Sequence, residues 1–262
     1  MVENSMPAPS SIQSVAWETG LNAVKDSVSF NSFPEFAKHL QDNMPQNSAE
    51  VRQRYANLVI KRLFPDRRID GLLPQVWRAY GDEVILKDLA RVLTLEAEPV
   101  IASFVVDFLL AIPPGTAIDA ATIRDFVSAA YGSFKEDSYS RLQSAVRHMG
   151  LVSRSKGVLI TQANSPPSNA YLILLHARLA PTPRIVRLPD ILAATHIPDN
   201  VALTRAKPYW RLLGMREESE VRTILRDAEA AGLIAKYAVV DQLEQITTRH
   251  SYDDYLAGAH RL

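Results

Sequence analysis

The chain contains no cysteine, so neither a disulfide nor a cysteine-ligated zinc can hold it together. Its ten glycines are scattered, and none falls in a G-x-x-x-x-G-K phosphate cradle. The six histidines, His39, His148, His176, His196, His250 and His260, stand far apart, without an H-E-x-x-H motif or a close His/Asp pair. Asp66 and Asp70 come nearest to paired carboxylates. Both lie among arginines in PDRRID, where a salt-bridged turn outweighs acid–base chemistry. A non-enzymatic protein without cofactor or metal is therefore expected. Long apolar runs are also missing: the most hydrophobic stretch, Val100 to Ile112, is too short to span a bilayer and carries Asp107. The opening MVENSMPAPSSIQSV has neither the basic start nor the apolar core of a signal peptide. No membrane contact and a cytoplasmic location are expected.

Net charge is missing too, with 29 basic and 29 acidic residues, which argues against indiscriminate coating of nucleic acid. The charge is not evenly spread. Residues 51–95 carry nine basic and five acidic groups, and residues 131–190 carry eight and three. Residues 1–50 carry two and six, residues 96–130 one and five, and residues 191–262 nine and ten. Such blocks allow a basic face on a neutral molecule, and phosphate contact there would be local and salt-sensitive.

With 47% apolar residues the chain has ample material for a core. A lead-in is expected over residues 1–30, rich in Ser, Pro and Asn over its first 15. A helical bundle follows over 31–115. FPEFAKHLQDNM places Phe33, Phe36, Ala37 and Leu40 on one face, with Pro34 in the first turn. NSAEVRQRYANLVIKRLF starts at Asn47 or Ser48 and aligns Val51, Tyr55, Leu58, Val59 and Leu63. Arg52, Arg54, Lys61 and Arg62 lie off that stripe, and the turn PDRRIDG adds Arg67 and Arg68, making one basic patch. Leu72 to Tyr80 reads as a helix, and so does the stretch from Asp82 to Leu95, with Val84, Ile85, Leu89, Val92 and Leu93 inward. The stretch from Pro99 to Ile112 is apolar all round, as a central helix is, and Pro113-Pro114-Gly115 marks a boundary.

Residues 116–163 carry the most information. Ile123, Phe126, Val127, Ala130 and Phe134 give one amphipathic helix. After a KEDS break, with Asp137 or Ser138 as N-cap, Leu142, Ala145, Val146 and Met149 give a second that ends at Gly150. Arg141, Gln143, Ser144, Arg147 and His148 occupy its other side. LVSRSKGVLITQ then reads as a β-hairpin with Arg154 and Lys156 at its tip. This order is that of a winged helix-turn-helix, and five basic against two acidic residues over 131–162 favour nucleic acid.

Residues 164–262 read as a further helical, winged helix-like unit. AYLILLHARLA is helix or strand, RIV a short strand, and Pro189 opens a helix that stops at Pro198. Tyr209, Trp210, Leu212 and Leu213 lead to Gly214. EVRTILRDAEAAGLI is a helix closed by Gly232, and AKYAVVDQLEQITT a hairpin with Asp241-Gln242 near its tip. SYSRLQSAVRHMGLV and SEVRTILRDAEAAGLI share Ser, Arg and a closing Gly-Leu, which suggests a degenerate repeat. The second copy offsets Arg222, Arg226 and Lys236 with Glu217, Glu218, Glu220, Asp227 and Glu229, and suits protein contact or a structural role. The fold class expected is mainly α: a helical bundle followed by two winged helix-turn-helix-like units with short hairpins.

FPEFAKHLQDN followed by NSAEVRQRYANLVIKRLF resembles the start of the BrxA proteins of bacteriophage-exclusion (BREX) systems. The resemblance rests on Ser48, Arg52 and Arg62-Leu63. The order IASFVVDFLLA, IDAATIRDFV, DSYSRLQSAVRHMGLV also fits, so that it covers residues 30–162, and the chain departs from the pattern by its extension after Ala163. The resemblance implies a DNA-binding accessory protein of phage defence that works beside a methyltransferase and ATPases without known catalysis. The expected partners are double-stranded DNA and other phage-defence proteins. The candidate contacts are Arg141, Arg147, His148, Arg154 and Lys156, with Arg52, Arg54, Lys61, Arg62, Arg67 and Arg68 as a second patch. The rival readings are a stand-alone winged-helix transcriptional regulator and a scaffold that binds only proteins.

Overall fold

The computed structural model describes residues 16–132, 135–163, 167–188, 216, 218–240 and 243–258. It is mainly helical, with two small antiparallel sheets of three strands each. The chain divides into two compact units, one built on residues 95–163 and the other on 18–94 together with the described residues from 167 onward. The division thus falls at Leu95, ahead of the proline-rich turn that the sequence suggests as a boundary.

The unit of residues 95–163 begins with α6 (Pro99–Ser103), which continues as a π turn over Phe104–Phe108 and a 3-10 turn over Leu109–Ala111. The expected single α-helix is thus three helical types in succession. Ile101, Ala102, Phe104, Val105, Val106 and Leu109 are buried, which is why this segment is apolar all round. Phe126 of α7 (Ala120–Tyr131) closes on Phe104 and Phe108, with ring centroids 5.8 and 5.0 Å apart. Asp119 caps α7, its carboxylate accepting from Thr122 N at 2.7 Å, and that bond holds the carboxyl below its usual range. Ile123 and Val127 are buried as expected; the side chain of Ala130 and all of Phe134 lie outside the described residues.

Helix α8 (Glu136–His148) starts earlier than KEDS suggests: its N-cap is Lys135, with no side-chain cap, and Ser138 is buried in its first turns. Leu142, Ala145, Val146 and Met149 form its inner face. Gly150, at φ +76°, ends it in a Schellman turn, with Gly150 N donating to Arg147 O (2.9 Å) and Leu151 N to Val146 O (3.0 Å). β2 (Val152–Ser155) and β3 (Val158–Thr161) form the hairpin, and β1 (Ala117–Ile118) adds to the other edge of β3, giving the order β1-β3-β2.

Buried Thr161 ties this unit together. Its hydroxyl donates to Pro113 O at 2.7 Å and accepts from Thr116 N at 3.0 Å, while Gly115 N donates to Thr161 O at 2.9 Å. Pro113 to Gly115 is therefore a turn clamped inside a compact unit. The proline cluster stops a helix without separating domains.

The other unit opens with α1 (Trp17–Ser27), α2 (Phe33–Asp42), α3 (Ala49–Leu63), α4 (Leu72–Tyr80) and α5 (Glu83–Ala97), the last running on past Thr94. The lead-in reading of residues 1–30 fails over α1: Leu21, Ala23 and Val24 are buried, and a Cβ on Gly20 would come 2.8 Å from Leu63 Cδ1. Ser32 and Ser48 cap α2 and α3, the latter accepting from Val51 N at 3.2 Å, and Pro34 takes the first turn of α2. Phe36 and Phe64 pack at 4.8 Å. Asp82 caps α5 through Val84 N, leaving Val84 itself 62% exposed, so Val84 does not join the core as its spacing suggests.

AYLILLHARLA resolves as α9 (Ser168–Arg178), buried on all sides from Ala170 to His176. Then come β4 (Ile185–Arg187), α10 (Glu218–Ala230), β5 (Ile234–Val240), β6 (Leu243–Thr248) and the short α11 (Tyr252–Leu256), which the sequence reading does not include. The helix expected from Pro189, Tyr209 to Gly214, and Asp241-Gln242 lie outside the described residues. The sheet order is β4-β6-β5, the same arrangement as β1-β3-β2.

The repeat extends to individual hydrogen bonds. Gly232 (φ +73°) closes α10 with Gly232 N to Glu229 O and Leu233 N to Ala228 O, as Gly150 closes α8. Thr248 Oγ1 accepts from Arg184 N at 2.9 Å just before β4, as Thr161 does from Thr116 just before β1. Thr161→Val and Thr248→Val keep the shape but remove the acceptor, and each is expected to cost about 1–3 kcal/mol in denaturant unfolding. Thr223→Val, an exposed control whose hydroxyl bonds Ser219 O, should change stability by under about 0.5 kcal/mol.

Candidate nucleic-acid interface

The outer side of α8 and the β2–β3 hairpin bring five expected contact residues into one unit. Arg147 and His148 are exposed at the C-terminal end of α8, where the Arg147 charge also complements the helix dipole. His148 Nδ1 lies 3.4 Å from Ser144 Oγ. Arg154 is exposed on β2 and Lys156 at the hairpin tip. Arg141 differs: it is partly covered and reaches back to Asp137 at 3.7 Å. At the start of α8, Glu136 pairs with Arg124 of α7. The positive end of this surface is thus the end of α8 and the hairpin, while the first turn of α8 is acidic.

The second expected patch survives only in part. Arg54 and Lys61 are exposed on α3, with Arg54 5.7 Å over the Tyr55 ring. Arg52 is partly buried and donates to the Gln46 and Asn47 carbonyls at 3.2 Å, so it holds the chain entering α3. Arg62 is only 3% exposed and is withdrawn from the patch. It stands four residues after Leu58 and three after Val59, and this helical spacing carries it onto the buried face. In the PDRRIDG turn, Arg67 is exposed at φ +52°. Arg68 makes a two-pronged pair with Asp70 at 2.8 and 2.6 Å, the salt-bridged turn expected from PDRRID. That hydrogen bond raises the Arg68 pKa and lowers that of Asp70.

Comparison with known families, curated proteins and solved structures finds no match. The chemistry must therefore be read from the residues themselves, and the corresponding surface of the repeat gives an internal contrast. On α10, Arg222 Nε donates to both oxygens of Glu244 on β6 at 2.9 and 2.8 Å, and Arg222 also pairs with Glu218. Tyr237 donates to the same Glu244, and Arg226 stands over the Tyr237 ring. The bond to Glu244 raises the Arg222 pKa; burial opposes the charge on Glu244, yet Tyr237 and Arg222 hold its pKa low. Arg222 of this copy is thus neutralised by its own hairpin, while Arg226 stays exposed beside Tyr237.

Sequence reading missed one charged site altogether. Asp88 on α5 and Arg216 are both buried, paired at 3.2 Å, with Arg91 3.8 Å from the other Asp88 oxygen. Arg216 also donates to Pro167 O at 2.7 Å and stacks on buried Tyr171 at 5.7 Å. Burial pushes the Asp88 pKa up against the pull of Arg216 and Arg91, and pushes that of Arg216 down. The separation of 128 residues left no local signal for this pair. Enclosed by Tyr171 and the Pro167 carbonyl, it holds the chain two residues before α10 against α5 and α9. Among the described residues no group of three or more metal-ligating side chains occurs, and no helix is long and apolar enough to cross a membrane.

Proposed function

We propose that the protein binds double-stranded DNA without catalysis, through a winged helix-turn-helix formed by residues 99–161. The order of its elements supports this: helix, strand, two helices and a hairpin, with α8 as the helix facing the duplex. The observation that carries the reading is the contrast between the two copies of this arrangement. Arg147, Arg154 and Lys156 are exposed on one, whereas Arg222, the central arginine of the other helix, is spent on Glu218 and Glu244, and Arg226 lies over Tyr237. The resemblance to BrxA proteins supplies the setting, an accessory component of phage defence with other defence proteins as partners. For the second copy, the capture of Arg222 by Glu218 and Glu244 and the acidic neighbours on the helix favour protein contact over DNA.

Duplex binding is tested by titration against salt. With about four to six phosphates neutralised, log affinity should fall against log salt with a slope near −4 to −5. A flat response, or no binding near about 50 mM salt, ends this reading. The α3 patch contributes separately in the same assay. Replacing Arg67 and Arg68 with Glu is expected to weaken binding with little change in melting temperature, because both side chains are exposed. A collapse of the melting temperature would show instead that they hold the turn.

A further inference from the structure

An edge strand shows a row of backbone N–H and C=O groups to any strand that can reach it. Natural proteins blunt such edges by keeping the strand short, by placing charge on it or by bending it with a bulge. Among the described residues, three of the four sheet edges are blunted. β1 is only two residues long. β2 has four residues and carries exposed Arg154. β4 has three, and its exposed Ile185 is bracketed by exposed Arg184 and Arg187.

β5 is the exception. It runs for seven residues, and among the described residues it pairs with β6 alone. Its residues are apolar or aromatic except Lys236. What guards it has lies at its start, where Lys236 stands and the register slips between Ile234 and Lys236. The far end is bare, with Val239 65% and Val240 45% exposed. The hairpin of the first copy exposes Arg154 and Lys156 instead, so the two hairpins present opposite chemistry.

We propose that two copies of this chain join at β5, by antiparallel pairing of the strand with itself about a two-fold axis at Ala238. Such a contact is self-complementary. It sets Val239 against Tyr237, and Val240 against Lys236, of the other copy. Each valine thus gains an apolar neighbour, the lysine contributing its aliphatic stem. Charge also favours a second copy as the occupant. The two Lys236 ammonium groups stand four strand positions apart and are not opposed, and β5 has no carboxylate to face its twin. A contact confined to one strand belongs among the interfaces under about 1,200 Å², so the dimer is weak and depends on concentration. It gives the protein contact read for the second copy its partner and rests on that reading. It stands apart from DNA binding, which the salt titration tests by itself.

The test is sedimentation equilibrium of the full chain, without DNA, from low micromolar to near-millimolar concentration. The parent should pass from monomer to dimer. Val239→Lys combined with Val240→Lys should weaken the dimer by about tenfold or more, because apolar cross-strand pairs are lost and charge is added to the edge. Both side chains are exposed, so the melting temperature should hold. Val84→Lys, at an exposed valine of α5, should leave dimerisation unchanged. Cross-linking gives an independent readout, and the lack of native cysteine makes it unambiguous. Opposed residues of an antiparallel pair have Cα atoms about 4.5–5.5 Å apart, within disulfide reach. Oxidised Ala238→Cys should therefore run as a covalent dimer, and Val84→Cys should not. A parent that stays monomeric overturns the proposal and leaves β5 to a strand of a different protein. Dimerisation unchanged in the double lysine variant, or Ala238→Cys cross-linking no better than Val84→Cys, overturns it as well.

Discussion

Asp88→Ala is expected to destabilise the protein by about 3–5 kcal/mol in denaturant unfolding, among the largest effects of any single change. The reason is burial: Asp88 and Arg216 are enclosed, and removing the carboxylate leaves the guanidinium with its charge uncompensated. Arg216→Ala should cost a similar amount, because it leaves the carboxylate behind and also removes the bond to Pro167 O. Replacing both at once, Asp88→Leu with Arg216→Met, should recover most of the loss, since a buried ion pair is often no better than a well-packed apolar pair. If the double variant is as unstable as the singles, the pair has a role beyond neutralising itself. Arg68 and Asp70 provide the contrast: their pair is exposed, and Arg68→Ala should leave the melting temperature unchanged.

The other large effect is on binding. Arg147→Glu combined with Arg154→Glu is expected to weaken duplex affinity by roughly a hundredfold and to lower the salt slope by about two units. Both side chains are exposed, so the melting temperature should hold. The matching change in the second copy, Arg222→Glu with Arg226→Glu, acts on residues already tied to Glu218, Glu244 and Tyr237. It should disturb stability, through like charges brought beside Glu244, more than it disturbs DNA binding. Measuring both double variants in one buffer decides between the copies: if the second loses more affinity, the copy facing DNA has been assigned wrongly.

The sequence by itself determined most of the local structure, since local structure depends on near neighbours. Ser48 with an apolar stripe behind it starts α3, and Gly150 and Gly232 stop α8 and α10 at the points where left-handed backbone is needed. The helix, helix, hairpin order of residues 120–161 follows from the change of apolar period from helical steps to alternation. The exposure of Arg147, Arg154 and Lys156 was legible for the same reason, and so was the Arg68–Asp70 turn.

Tertiary structure alone decided what depends on residues far apart in the chain. Trp17–Ser27 carries only scattered apolar residues, but Gly20 lets α1 approach Leu63 closely enough to bury Leu21 and Val24. Pro113 to Gly115 looks like a boundary until Thr161, 48 residues after Pro113, bonds its carbonyl. The Asp88–Arg216 pair and the capture of Arg222 by Glu244 were invisible for the same physical reason. A charge is free or spent according to what folds against it, and sequence spacing reaches no further than the next turn or strand.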